Sequence, residues 1–188
     1  MSKKRILLHC CCAPCSAAII EWLMQHEWQP TLFYYNPNIY PFSEYEIRKN
    51  ECTRYARSLG LEIIDGDYAH AAWLRAVAGL EAEPERGHRC LQCFIMRMNE
   101  TARMCQALGF DTFATTLASS RWKDLAQIAV AGNEAAALYP HLTFFDKNWR
   151  KDGLQERRNI LLKKNGFYNQ QYCGCEFSFR QGSSNGNK

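Results

Sequence analysis

Residues 4–15 read KRILLHCCCAPC. The apolar run Ile6-Leu7-Leu8 follows charged residues and precedes a cysteine-rich loop, a pattern typical of a fully buried parallel strand. Residues 16–24 then carry apolar side chains at helical spacing, with Ser16 as the candidate N-cap behind Pro14. The sequence therefore predicts a strand, a cysteine loop and a helix in that order.

Further strand and helix patterns alternate along the chain. The predicted strands span residues 32–35, 61–64, 112–116 and 142–145, and the predicted helices span 44–59, 88–108 and 124–138. This alternation predicts an α/β fold with a mostly parallel sheet and flanking helices. We expect one domain over residues 1–180 and a disordered polar tail over residues 181–188.

The chain has ten cysteines, an unusual number for 188 residues. No apolar run approaches the roughly 18–20 residues that cross a bilayer, and the basic start breaks into cysteines before a secretory segment forms. We therefore expect a soluble, cytoplasmic protein without a membrane partner. In that reducing compartment the cysteines indicate metal or redox chemistry rather than disulfides. Cys52 and Cys105 stand alone in helical patterns and are expected to be small core residues.

Clustered cysteines are the predicted metal ligands. They are Cys11, Cys12, Cys15, Cys90, Cys93, Cys173 and Cys175. Four thiolates can bind zinc or a 4Fe-4S cluster, and this set exceeds either need. Adjacent Cys11 and Cys12 are expected to point in different directions, which predicts two metal centres rather than one. The position of the ligands at strand ends favours iron-sulfur over zinc.

The loops after three predicted strands should share one crevice, because ligands bind beyond the carboxyl ends of parallel strands where the strand order reverses. These loops span residues 10–15, 36–38 and 115–120. Their polar side chains are candidate substrate contacts, although loop structure alone could also explain them: Asn36, Asn38, Thr115, Thr116 and Ser119.

The net charge is +4, and the positive excess lies mainly within residues 147–164. Such a run is either a solvated helix face or a site for a polyanion.

The order of several motifs resembles a known family. The motifs are HCCCAPC at 9–15, NPNIYP with EYxxR at 36–48, RCLQCF at 89–94, FATTLASS at 113–120, WRKDG at 149–153 and YCGCEFS at 172–178. Together they resemble the cobalamin-independent, QueH-type epoxyqueuosine reductases from about residue 4 to residue 179. The chain differs at Arg121-Trp122-Lys123, where the family often has Pro-Tyr-Lys. Position 15 varies in the family between cysteine and an acidic ligand.

The resemblance implies an adenine-nucleotide-hydrolase-like (HUP-like) fold without a phosphate loop, a 4Fe-4S cluster and a neighbouring mononuclear metal, for which we expect iron. It implies removal of the epoxide oxygen from epoxyqueuosine in tRNA, with electrons from an unidentified donor. His9, Tyr45 and Lys123 are candidate proton donors or substrate contacts, and Arg157 and Arg158 are candidate contacts to tRNA phosphates. The alternatives are a sulfonucleotide reductase, which would need a phosphate loop, and a zinc-stabilised RNA-binding module.

Overall fold

The apolar run after the basic start forms the central strand of a parallel sheet. The computed structural model describes residues 3–178. Its strands are β1 (Lys4–His9), β2 (Trp28–Tyr34), β3 (Ile63–Asp65), β4 (Thr112–Thr115) and β5 (Thr143–Phe144). They lie in the order β3-β2-β1-β4-β5, and each neighbouring pair is parallel. Ile6, Leu7 and Leu8 of β1 are fully buried, as a strand covered on both faces requires.

The helices that connect the strands cover the sheet. They are α1 (Ala13–Gln25), α2 (Phe42–Ser58), α3 (His70–Ala76), α4 (His88–Ala107), α5 (Leu125–Ala137) and α6 (Leu154–Lys164). α1 packs against α2 and α6, whereas α4 packs against α3 and α5. Right-handed crossovers that leave β1 in opposite directions place these two groups of helices on opposite faces. The predicted α/β fold is confirmed.

The first helix begins earlier than the sequence pattern indicates. Its first residue is Ala13, Cys12 occupies the N-cap position and Pro14 lies in the first turn. The fixed φ of proline suits this position, so the helix starts inside the cysteine loop. The prediction of Ser16 as the N-cap is wrong: its hydroxyl lies within α1 and donates to the carbonyl oxygen of Cys12 at 2.7 Å.

Two helices were not among the predicted helices, although a solvated helix face was one interpretation of the charged run 147–164 that contains α6. α3 is short, and α6 buries only Leu154 and Leu161 among charged side chains, which weakens its apolar pattern. Cys52 and Cys105 are buried within α2 and α4, as expected. The expectation of a disordered tail falls outside the described residues. Within residues 3–178, no helix combines the length and apolar character that a bilayer crossing requires.

The strand order reverses beside β1. The chain passes from β1 to β2 on one side and later returns to place β4 on the other. A parallel sheet opens a crevice at the carboxyl ends of the two strands that flank such a reversal. Here His9, the last residue of β1, is paired with Thr115, the last residue of β4. The cysteine loop and the loop after β4 therefore leave the sheet side by side.

Gly132 on α5 packs directly against Phe144 of β5. A Cβ atom at position 132 would lie 2.3 Å from the nearest ring carbon of Phe144. We expect Gly132→Ala to lower the free energy of unfolding by about 1–3 kcal/mol through overpacking, although alanine favours a helix. Urea unfolding followed by circular dichroism measures this change. The control Glu134→Ala, an exposed site on the same helix, should stay within ~0.5 kcal/mol of the parent; equal loss in both variants would contradict the packing argument.

Candidate metal centre and substrate cleft

A cleft of 450 Å³ lies between the loops that were predicted to share a crevice, residues 10–15, 36–38 and 115–120. Its wall carries positively charged side chains, and among the described residues that line it there is no Asp or Glu; the charged residues are Arg48, Arg97, Arg121, Lys123 and Arg158. Side-chain amides are the most numerous of the uncharged polar groups that line it: Asn36, Asn38, Gln155, Asn159, Asn169, Gln170 and Gln171. Such a wall suits an anionic ligand with many hydrogen-bonding groups.

Cys11, Cys12 and Cys15 form a buried group on the cleft wall, with their sulfur atoms all within 4.8 Å of one another. Cys12 precedes α1 and Cys15 lies in its first turn, so the start of the helix gathers them. The expectation that Cys11 and Cys12 point apart is wrong. Because the backbone bends at Cys11, the two sulfur atoms lie 3.8 Å apart. This cysteine-rich site could bind a metal ion.

The protein stabilises a thiolate within this group. Hydrogen bonds from Cys12 and Cys15, together with the positive charge of Lys123, hold the pKa of Cys11 well below its ordinary value. Burial raises the pKa of Cys12 well above the ordinary value. The hydroxyl of Thr116 accepts a hydrogen bond from the Cys11 N–H at 3.1 Å and donates to its sulfur at 3.4 Å. A bound cation would favour the thiolate form of all three cysteines.

The remaining predicted ligands form a second group. Cys90 and Cys93 lie near the N-terminus of α4, and Cys93 packs with Cys175 in a small apolar cluster that contains Trp73. Cys90, Cys175 and Cys173 border a second cavity of 20 Å³. Burial, together with the negative charge of Cys173 and Cys93, raises the pKa of Cys175 to about 11. These four thiols are thus neighbours, although they do not form as compact a group as the first.

Lys123 lies between the two cysteine groups. It lines both cavities, as does Cys173. Burial lowers the pKa of Lys123, but the negative charges of Cys173, Cys11 and Cys15 outweigh that effect, so its pKa is above the ordinary value. Among residues 3–178, Lys123 forms no ion pair with a carboxylate. The Cys11 thiolate, whose own pKa is lowered, is therefore one negative charge that favours the ammonium form of Lys123.

His9 lies behind the cleft rather than on its wall. Its Nδ1 is 2.8 Å from the Thr115 hydroxyl, and its Nε2 is 3.0 Å from the carbonyl oxygen of Tyr35. The carbonyl can only accept, so Nε2–H donates to it and the Thr115 hydroxyl donates to Nδ1. Burial lowers the pKa of His9 to about 3, and the imidazole is neutral at physiological pH.

Tyr45 also lies away from the cleft. Its ring is buried between Tyr34 and Tyr68, and the ring centroids of Tyr45 and Tyr68 are 4.3 Å apart. Burial raises the pKa of Tyr45 to about 12. Of the three predicted proton donors, Lys123 is the one that the structure places on the cleft wall.

The predicted substrate contacts divide into two groups. Asn36, Asn38 and Ser119 line the cleft, whereas Thr115 bonds to His9 and Thr116 bonds to Cys11 behind the cleft wall. Asn36 donates to the Cys10 carbonyl oxygen at 2.9 Å. The buried Oδ1 of Asn38 has no hydrogen-bond partner among the described residues.

The two predicted phosphate contacts also differ. Arg158 lines the cleft. Arg157 instead faces Glu21 of α1, and its guanidinium makes two hydrogen bonds to that carboxylate, at 2.7 and 3.0 Å. Within residues 3–178, Arg157 is therefore paired with a carboxylate and Arg158 is not.

Sequence reasoning missed the role of Arg48. This buried side chain forms an ion pair with Glu44 at 2.7 Å and donates to the carbonyl oxygens of Cys173 and Tyr172, at 3.2 and 3.3 Å. Gly174 has φ +137°, and a Cβ there would lie 3.1 Å from Nη1 of Arg48. Arg48 and Gly174 together therefore hold the C-G-C segment against α2. The i,i+4 spacing of Glu44 and Arg48 was the available sequence signal.

The doubly wound sheet and its thiol-lined cleft define a cysteine-rich α/β protein with a group of three thiols that could hold a metal ion at the strand-order reversal. The family model described as "Epoxyqueuosine reductase QueH" matches residues 6–181, and the chain belongs to this family. Proteins named epoxyqueuosine reductase QueH from Haemophilus influenzae and Histophilus somni are each 44% identical to it, over 94% of this chain and 72% of the relative. That from Acinetobacter baylyi is 43% identical, over 94% of this chain and 81% of the relative.

Removing the Arg48 guanidinium should loosen the C-G-C segment. Arg48→Met leaves Glu44 buried without its ion-pair partner, so we expect a loss of about 3–5 kcal/mol in the free energy of unfolding. Hydrogen exchange by mass spectrometry should also show faster exchange in the peptide that contains residues 172–175. Arg57→Met, at an exposed position on the same helix, is the control. Parent-like stability and exchange in Arg48→Met would contradict the role of Arg48.

Proposed function

We infer that the chain is an epoxyqueuosine reductase, an oxidoreductase that converts epoxyqueuosine in tRNA to queuosine. The observation that carries this conclusion is that the family model matches nearly all of the described residues. The group of three cysteines on the wall of a polar cleft agrees with it. Neither the sulfonucleotide reductase nor the zinc-stabilised RNA-binding module receives support from the relatives.

The overall reaction defines what the site must supply. Two C–O bonds of the epoxide break, a carbon–carbon double bond forms, and the oxygen leaves as water. This change consumes two electrons and two protons. The site therefore needs an electron source, a group that stabilises negative charge on the departing oxygen and a route for protons.

We propose two metal centres with separate ligand sets. Cys11, Cys12 and Cys15 would hold a single iron ion, because their compact arrangement matches one metal and the cleft leaves a side open. The more widely spaced set would hold a 4Fe-4S cluster in an apolar surrounding: Cys90, Cys93, Cys173 and Cys175. When bound, the cluster would supply electrons and the iron ion would act as a Lewis acid.

Among the side chains, Lys123 is the proposed proton donor. It lines the cleft beside both cysteine groups, so its ammonium can reach a ligand held there. His9 is assigned a positioning role, since both of its ring nitrogens bind groups inside the protein. Tyr45 is assigned to packing, as its ring is enclosed by other aromatic rings.

The remaining cleft residues are proposed to bind the tRNA. Asn36, Asn38 and Ser119 offer hydrogen bonds to the modified nucleoside, and Arg158 offers a contact to a flanking phosphate. Thr115 and Thr116 are proposed to act indirectly, by holding His9 and Cys11. The electron donor is a partner whose identity the site does not specify.

An anaerobic turnover assay tests the function. Metal-loaded protein, a chemical reductant and tRNA that contains epoxyqueuosine are mixed, and the digested nucleosides are measured by mass spectrometry. We expect queuosine to replace epoxyqueuosine. Lys123→Met should lower turnover by at least tenfold while the metal content is retained. Absence of queuosine with fully loaded parent protein would reject the assignment.

The two ligand sets predict different losses of metal. After anaerobic reconstitution, the parent should contain about five iron and about four sulfide per chain. Cys12→Ser should retain the visible absorbance of the cluster but lose about one iron, whereas Cys93→Ser should lose the absorbance. Cys105→Ser, at a buried position on the same helix as Cys93, is the control and should lose neither. Loss of the cluster in Cys12→Ser with retention in Cys93→Ser would reverse the partition.

Arg158 and Arg157 predict different contributions to tRNA binding. Arg158→Gln should weaken binding and lower the slope of log Kd against log salt by about one, since one phosphate contact is lost. Arg157→Gln should have a smaller effect, because Glu21 already holds that guanidinium. Fluorescence anisotropy with labelled tRNA at several salt concentrations measures both variants. An equal slope in the parent and in Arg158→Gln would contradict the proposed contact between Arg158 and a phosphate.

A further inference from the structure

Trp122 is the one aromatic side chain among the described residues that line the cleft. It is half-buried and also borders the smaller cavity, beside Cys173 and Cys175. Each of the other tryptophans packs against another aromatic ring: Trp22, Trp28, Trp73 and Trp149. Within the part of the chain that the structure describes, Trp122 has no ring neighbour. The cleft therefore presents an indole without an aromatic partner among residues 3–178.

The loop that carries Trp122, residues 120–123, is held in place from two sides. The guanidinium of Arg86 donates to the carbonyl oxygen of Arg121 at 2.6 Å. The guanidinium of Arg150 donates to the carbonyl oxygen of Lys123 at 2.6 Å. These arginines come from segments far apart in the chain, and both guanidinium groups donate hydrogen bonds to the backbone of this loop. An ordered backbone lowers the entropic cost of presenting a flat side chain to a ligand.

The surroundings of Trp122 select the kind of ligand. The cleft combines one aromatic ring with cationic side chains and amides, the combination that binds nucleotides in single-stranded RNA. The ring can stack on a base, Arg158 can contact a phosphate, and the unpartnered Oδ1 of Asn38 can accept a hydrogen bond from a base edge or a ribose-like hydroxyl. A nucleotide whose base has left the helical stack would satisfy all three groups.

We propose that Trp122 is the platform on which the modified base stacks when the wobble nucleotide enters the cleft. This inference rests on the proposed function, and it adds a substrate-binding residue that makes affinity depend on the presence of the base. Stacking on an aromatic ring does not depend on which hydrogen-bonding groups the base carries. The indole therefore contributes to affinity through its contact area with the base. Recognition of the particular base then falls to the polar groups around it.

A comparison of two RNAs with two protein changes tests the platform. One anticodon stem-loop RNA contains epoxyqueuosine at the wobble position, and the other has no base there. Dissociation constants are measured by fluorescence anisotropy of labelled RNA with metal-loaded protein. Trp122→Ala should weaken binding of the epoxyqueuosine RNA roughly 5- to 150-fold, the range that stacking of one base provides. It should leave binding of the abasic RNA unchanged, and Trp122→Phe should retain most of the affinity for the first RNA.

Trp28→Ala is the matched control. Trp28 is also half-buried, but it lies on β2 and packs against Phe145 outside the cleft, so both RNAs should bind this variant as they bind the parent. Equal weakening of both RNAs by Trp122→Ala, or no weakening of either, would overturn the platform. If Trp122→Ala does not fold, Trp122→Leu keeps an apolar side chain without an aromatic face and is expected to show the same dependence on the base.

The same samples separate this inference from the proposed function. If the parent protein binds the epoxyqueuosine RNA but forms no queuosine under reducing conditions, the proposed reaction fails, while base-dependent weakening in Trp122→Ala still demonstrates the platform. If the parent forms queuosine and Trp122→Ala binds both RNAs with parent affinity, the reaction stands and the platform is rejected.

Discussion

The pairing of β4 with β1 is the constraint on which the site depends. It places Thr115 beside His9 and thereby brings the loop after β4 against the cysteine loop, although these segments are about a hundred residues apart in the chain. The hydroxyl of Thr116 then binds both the N–H and the sulfur of Cys11. Because each of these groups is buried, a shift of the strand pairing would leave several hydrogen bonds unmade, each at a cost of about 1–3 kcal/mol. The register of the sheet therefore also sets the position of the thiols.

The C-G-C segment is positioned in a different way, since it belongs to no strand. Arg48 binds its carbonyl oxygens, and the N–H of Tyr40 donates to the carbonyl oxygen of Gly174 at 2.9 Å. His70 adds a contact to Glu176 at 3.2 Å, just beyond the segment. A side chain at position 174 would crowd Arg48, and the backbone there has a positive φ that residues other than glycine rarely adopt. Polar contacts from several elements thus replace the regular hydrogen bonds of a sheet.

Apolar runs and turn residues were sufficient to predict the strands, most of the long helices and the crevice at the end of β1, because these depend on local patterns. The meeting of Cys11 and Cys12 depends on one bend in the backbone, which their adjacency in sequence does not reveal. α6 escaped prediction because few of its residues are buried. The role of Arg48 depends on carbonyl groups more than a hundred residues away, and no local pattern contains that information.

The electrostatics of the cleft connect the thiols to the ligand they face. Cationic side chains line it without a carboxylate among the described lining residues, and the Cys11 thiolate favours the charged form of Lys123. Burying a cation is costly unless negative charge lies nearby. The Cys11 thiolate supplies part of that charge, and an RNA backbone at the cleft mouth would supply more. The Cys11 thiolate and an anionic ligand would therefore both stabilise the cations that line the cleft, which favours a substrate that brings its own phosphates over an uncharged nucleoside.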